Sequence, residues 1–423
     1  MIKEPHVPLF EMVMCLSNAM DLIDRTLVAH HKQVAYVALS IAAEMGLPLE
    51  EQNDLILAGL LHDIGALSLQ DRLNTLQFEI ENPYEHAELG YLLLKEYEPF
   101  SRMANLVRYH HTPWDERSST IAEKEGVPIG SRILHLADRV SVLINKEKEV
   151  IGQIKGIRER IEKHAGKMFM PVLVDTFRGL SEKEYFWLDT VSPSLDLTLA
   201  HRSKLKTIEM DLERLLDLSR FFCHVIDFRS RFTSTHSSGV AAVAEALAGL
   251  IGFSERECSM MKIAGYLHDL GKLAVSKEIL EKQERLTEDD VNVIKGHTFY
   301  TYRILETIRD MDVINTWASF HHERLDGKGY PFHHKGHDLS LGSRIMAVAD
   351  VFTAITEDRP YRKAMSPDRA LQVVHQMAEN SALDTNVVAV LRLNFDRLNS
   401  IRMSAQAVAS RDYEEWGTGA GVP

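Results

Sequence analysis

The sequence predicts an all-α protein made of two similar helical bundles joined by a long helix. Three observations predict it. Apolar residues recur at i, i+3, i+4 and i+7 in VAYVALSIAAEM, SRILHLADRVSVLI, VAAVAEALAGLI and SRIMAVADVFTAIT, the period of a helix with one buried face. No run alternates apolar and polar residues for long enough to make a strand. The second half of the chain repeats the first in the order and spacing of its histidines and aspartates.

In chain order, HHKQVAYVALSIAAEMGL is a helix headed by His30, and LILAGLLHDIGAL is a leucine-rich helix ending on His62 and Asp63. His86 lies in YEHAELGYLLL, the pair His110 and His111 follows, and Asp138 lies in the helix GSRILHLADRV. HRSKLKTIEMDLERLLDLSRFFCHVI reads as a long amphipathic connecting helix. The SPS turn before it sets the expected domains at 1–200 and 201–423. The second half then runs through His236 in HSSGVAAVAEALAGLIGF, His268 and Asp269 in MMKIAGYLHDLGKL, and His297 in KGHTFYTYRIL. It closes with His321 and His322, and with Asp350 in GSRIMAVADVF. The tail DYEEWGTGAGVP reads as frayed.

The intervals match closely. His30 precedes His62 by 32 residues, as His236 precedes His268, and His86 precedes His110 by 24, as His297 precedes His321. A period of about 206 residues is far too long for a solenoid and fits two copies of one domain. Common descent explains the repeat; retention of every donor type in both copies points to metal. Imidazole nitrogens with carboxylate oxygens suit zinc, manganese, iron or nickel. Seven side chains exceed one tetrahedral structural zinc site. They suit two ions bridged by an aspartate, an arrangement that favours in-line hydrolysis of a phosphodiester.

Composition narrows the partners. Among 423 residues, 45% are hydrophobic, enough for large cores, and 48 Lys+Arg against 61 Asp+Glu give a net charge of −13. That balance argues against a nucleic-acid polymer or a membrane surface as partner. It leaves room for a small anionic ligand, because a metal cluster and a few cations set the field of a pocket. Three cysteines without a CxxC pair suggest a reducing compartment. With no signal-like N-terminus and no apolar run of about 20 residues, a cytoplasmic location is expected.

HDLGKL at 268–273 together with HHERLDGKGYP at 321–331 resembles the HD-GYP family, a branch of the HD-domain phosphohydrolases. LSLGSRIMAVADVFTAITEDRPYRKAMS and FTSTHSSGV extend the likeness through most of the second half. The first half resembles only the broader HD superfamily. The resemblance implies a helical metal centre that hydrolyses cyclic di-GMP to pGpG and onward to GMP. The close alternatives are 3′,3′-cyclic GMP-AMP as substrate, or a receptor that binds a cyclic dinucleotide without cleaving it. An HD hydrolase of dNTPs or an alarmone would fit the first half alone.

Carried over by position, the implied metal ligands are His236, His268, Asp269, His297, His321, His322 and Asp350, with Asp269 bridging. Iron, manganese or nickel is the implied metal. Members with three ions carry a glutamate four residues before the first histidine; Phe232 stands there, so two ions are expected. Lys272 matches the lysine that meets the substrate phosphate and, with Asp269, is expected to be catalytic. Arg324, Gly327, Gly329 and Tyr330 fall in the signature loop, implied to bind substrate and to dock GGDEF-domain proteins. Two departures stand out: Thr301 replaces a usual glycine, and SALDTNVV replaces a glycine-rich stretch while keeping Asp384.

The first half keeps a second candidate donor set in His30, His62, Asp63, His86, His110, His111 and Asp138. It has Ala66 in the place of Lys272, and HHTPWDERSST in place of the glycine-tyrosine-proline turn. A regulatory or dimerising domain is therefore expected there, with a homodimer as the corresponding assembly.

Overall fold

The computed structural model describes residues 3–22, 28–66, 68–80, 83–115, 126–203, 205, 208–227, 235–282, 284–358 and 363–420. These residues are helical apart from turns and two two-residue strands, Val7–Pro8 and Glu209–Met210. None of the described helices is long and apolar enough to cross a membrane. The chain divides into two compact units, one with Pro8–Ile208 as its body and the other with Glu209–Gly417.

The first unit is built on α1 (Leu9–Asp21), α2 (His30–Glu44), α3 (Leu49–Leu61), α4 (Tyr84–Lys95), α5 (Glu98–Arg108) and α6 (Ile129–Val142). Helix α2 is buried over most of its length and packs against α3 and α6. Gly59 makes the α2–α3 approach possible: a Cβ there would lie 2.5 Å from the Ala35 Cα. Beyond α6, Phe177, Phe186 and the fully buried Trp187 form an edge-to-face cluster. The Trp187 indole N–H donates to the Ser181 carbonyl at 3.0 Å, so the ring is buried without an unmet donor.

The second unit repeats this order as α7 (Leu212–Asp227), α8 (His236–Ile251), α9 (Glu255–Leu267), α10 (Glu288–Leu305), α11 (Asp312–Ser319) and α12 (Leu341–Thr356). Here α8 is central and packs on α9 and α12. Gly265 repeats the close approach, with its notional Cβ 2.4 Å from the Ala241 Cα. Helices α9 and α10 start with capping boxes, Ser254 with Glu257 and Thr287 with Asp290. Each cap contributes about 1 kcal/mol. A long helix, α13 (Phe395–Ala420), ends the described chain.

Two expectations need correction. The stretch 201–226 is not one connecting helix: a helix ends at Arg202, Ser203 is extended, and α7 begins only at Leu212. Leu205 and Met210 are both buried, and on a single helix they would point about 140° apart. The tail is helical through Ala420 instead of frayed from residue 412.

Candidate active site

In the second unit helix ends and two helix interiors bring the seven predicted donors together. His236 is the first residue of α8, His268 caps the C-terminus of α9 with Asp269 next to it, and His297 lies on α10. His321 and His322 follow α11, and Asp350 lies on α12. His236 Nε2 lies 3.2 Å from Asp350 Oδ1, and His268 Nε2 3.2 Å from Asp269 Oδ2. His297 Nε2 lies 3.3 Å from both Asp269 Oδ1 and His321 Nε2. His322 Nδ1 is 3.7 Å from Asp350 Oδ2. Two donor groups result, one of His236, His268 and Asp350 and one of His297, His321 and His322. Asp269 reaches both groups through different oxygens.

The far side of four of the five rings is fixed by a polar partner. The Nδ1 atoms of His268, His297 and His321 face the carbonyls of Gly265, Ile294 and Ala318 at 2.7, 2.5 and 2.6 Å. Each carbonyl lies three residues upstream, so local chain geometry turns Nε2 toward the centre. His236 uses a carboxylate instead, with Nδ1 2.8 Å from Glu357 Oε1. Glu357 also accepts from Gln406 of α13 at 2.9 Å. Such outer partners orient ligand rings and raise their basicity.

The charge states suit metal. Burial alone would raise Asp269, but His268 and Lys272 beside it hold its carboxyl well below the usual carboxylate range. Asp350 is likewise held low against its burial by His236 and His322. Burial lowers His321 well below its ordinary value and His322 to about 3, leaving neutral imidazoles. His268 Nε2 and Asp269 Oδ1 are buried with no hydrogen-bond partner. Such atoms cost roughly 1–3 kcal/mol each when nothing binds them, so the donor set fits divalent ions. Position 232, which bears on the number of ions, lies outside the described residues.

The parts around the donors belong to the second unit alone. Lys272 Nζ donates to Asp269 Oδ2 at 2.5 Å. Arg324 forks onto Asp326 at 3.1 and 2.7 Å, so its guanidinium is already oriented at the loop's edge. Gly327 has φ +74°, and a Cβ on Gly329 would lie 2.5 Å from the Arg324 nitrogen. Both glycines are therefore required by the turn. The Tyr330 ring packs 4.9 Å from that of His322.

Several residues escaped the sequence reading. Glu357 anchors His236. Glu323 is buried and accepts from the Phe332 and His334 backbone nitrogens at 2.7 and 3.0 Å, which ties down the loop. Thr301, met only as a departure from pattern, donates to the His268 carbonyl at 3.1 Å and accepts from the Gly271 nitrogen at 2.9 Å. It clamps the turn that carries Asp269. Asp384 caps the next helix by accepting from Asn386 and Val387, and also holds Arg344. The glutamate after the double histidine was the one available hint to Glu323.

The first unit also assembles its seven predicted donors. His30 Nε2 is 3.5 Å from Asp138 Oδ1, and His62 Nε2 3.3 Å from Asp63 Oδ2. His86 and His110 approach Asp63 Oδ1 at 3.5 and 3.8 Å, and His111 Nε2 lies 3.1 Å from His86 Nε2. Ala66 is fully buried, and Asp63 Oδ2 also accepts from the Thr75 hydroxyl at 2.8 Å.

Fold and donor set together define a tandem HD-domain protein with the makings of a metal-dependent phosphohydrolase. Family profiles described as HD domain match residues 27–143 and 212–387. The 3′3′-cGAMP-specific phosphodiesterase 1 of Vibrio cholerae is 31% identical over 407 residues, covering 92% of this chain and 93% of that protein. The cyclic di-GMP phosphodiesterase response regulator RpfG of Xanthomonas campestris is 36% identical over 181 residues, 42% of this chain and 48% of that protein. The crystal structure of a cyclic GMP-AMP specific phosphodiesterase of V. cholerae, V-cGAP3, shares the fold with a TM-score of 0.66 at 24% identity. It covers 93% of this chain and 98% of that one. The chain belongs to the HD-GYP family of cyclic-dinucleotide phosphodiesterases.

Proposed function

We propose that the second unit hydrolyses a 3′,3′-linked cyclic dinucleotide and that 3′,3′-cyclic GMP-AMP is its preferred substrate. One observation carries the preference. The similarity to a cGAMP-specific enzyme runs through both units, whereas RpfG, a cyclic di-GMP enzyme, matches 42% of the chain. Cyclic di-GMP is the second reading, supported by relatives 36% and 37% identical within that shorter stretch.

In this reading His236, His268, Asp269, His297, His321, His322 and Asp350 hold two divalent ions, with Asp269 between the two groups. Bound there, the ions would supply Lewis-acid stabilisation of the phosphoryl oxygens and an activated nucleophile at neutral pH. Lys272 turns from Asp269 toward a non-bridging phosphate oxygen, where its charge matters most as negative charge develops. Arg324 offers a planar fork to a phosphate or a guanine edge. Tyr330, already packed on His322, offers a face on which a purine can stack. The backbone at Gly327 and Gly329 keeps the loop close to the centre. Lys328 and His333 are exposed at the loop's tip, and a GGDEF-domain partner would dock there. The first unit acts as the regulatory body, and a second copy of the chain is its natural assembly partner.

The test is a substrate panel. Manganese- or iron-loaded protein is given each cyclic dinucleotide and the products are identified. Faster cleavage of cyclic GMP-AMP supports the preference, faster cleavage of cyclic di-GMP reverses it, and cleavage of neither refutes the reading.

A further inference from the structure

We propose that the first unit holds a metal centre of its own, closed to substrate, in which His31 is a ligand with no counterpart in the second unit. The Nε2 atoms of His30, His31, His62 and His110 and the Oδ1 atoms of Asp63 and Asp138 are all buried without a hydrogen-bond partner. No other place among the described residues gathers so many orphaned donors. Their outer atoms, by contrast, are anchored. His62 and His110 turn Nδ1 to the Gly59 and Val107 carbonyls at 2.9 and 2.6 Å. The Thr75 hydroxyl holds Asp63 Oδ2, and Arg139 holds Asp138 Oδ2 at 2.5 Å. Each carboxylate thus keeps one free oxygen, and it faces the imidazoles.

His31 extends this set. Its Nδ1 is bonded to Asp21, and its ring lies 5.5 Å from His30 and 5.3 Å from His62. The second unit has the same acid in the same register, Asp227, but spends it on Ser237, whose hydroxyl donates to Asp227 Oδ1 at 2.8 Å. A serine ends at that bond. The histidine spans it and leaves Nε2 on the ring edge away from that bond, buried and without a hydrogen-bond partner.

The centre is also shut. The His111 side chain is 3% exposed against 31% for His322. His135 packs 5.8 Å from His111, and Phe169 packs 5.3 Å from His135. The Trp114 nitrogen donates to the Met168 carbonyl at 3.2 Å, fixing the chain after His111 against that segment. Imidazole nitrogens with carboxylate oxygens select a first-row divalent ion such as zinc, iron or manganese. A closed shell of protein donors makes a structural or regulatory ion rather than a hydrolytic one.

The experiment uses the full-length H268A/D269A chain, dialysed against a chelator, with metal content read by mass spectrometry and folding by circular dichroism. At least one equivalent of metal is expected to remain, and adding H62A/D63A should remove it. H31S, which installs the second unit's residue, and D21N, which frees the ring, should each speed metal loss about tenfold or more. D21N keeps the question open to test should H31S fail to fold. A folded H268A/D269A chain without metal overturns the centre. Retention that neither H31S nor D21N alters overturns the role of His31. Dinucleotide cleavage reports on the second unit separately, so the two readings fail independently.

Discussion

The two units carry the same seven donors on corresponding helices and differ in what surrounds them. In the second, Lys272 lies on Asp269, Glu357 steadies the first histidine, and His322 opens toward a glycine-tyrosine-proline loop. In the first, a threonine takes the lysine's place on the aspartate, an arginine is tied to Asp138, and His111 is covered. The difference teaches that the donor set determines what can be bound, while its neighbours determine what can be done with it.

Carrying the first unit's residues into the second is the sharpest way to break that comparison. The largest effect is expected from removing the donors themselves: H268A/D269A should reduce cyclic-dinucleotide turnover to background, read by product chromatography. Lys272→Ala, the residue the first unit has, should lower kcat by roughly 10²–10³-fold with metal content unchanged. The reverse change, Ala66→Lys, should create no activity in an H268A/D269A background, because the first unit's site stays covered. Glu357→Asn, again the first unit's residue, should weaken metal affinity about 10–100-fold. Excess metal should restore its rate, which separates positioning from chemistry. Thr301→Gly copies Gly90 and removes two buried hydrogen bonds. It should cost about 1–3 kcal/mol in urea unfolding, with a smaller effect on rate.

Much of this was legible in the sequence. Helical period gave both bundles, and matched intervals picked out the seven residues in each half that the fold brings together. What could not be read is what depends on contacts between distant segments. Glu357 lies seven residues after Asp350, and nothing in TAITED says that its carboxylate meets His236, 121 residues earlier. Thr301 stands in the sequence only as a departure from a usual glycine; the packing of α10 on the Asp269 turn shows its hydroxyl bridging His268 and Gly271. His31 was hidden by the stronger pattern of His30 beside it, and its anchor Asp21 sits on another helix. The broken connector was missed because amphipathic period persists on both sides of the extended residues.

The most direct test of the central claim is the turnover of 3′,3′-cyclic GMP-AMP by the folded H62A/D63A chain, measured under metal-replete conditions. The second unit working as the hydrolase predicts a rate within about threefold of wild type, less than 1 kcal/mol in barrier. Loss of turnover in H62A/D63A, with H268A/D269A still active, would contradict the account and place the chemistry in the first unit.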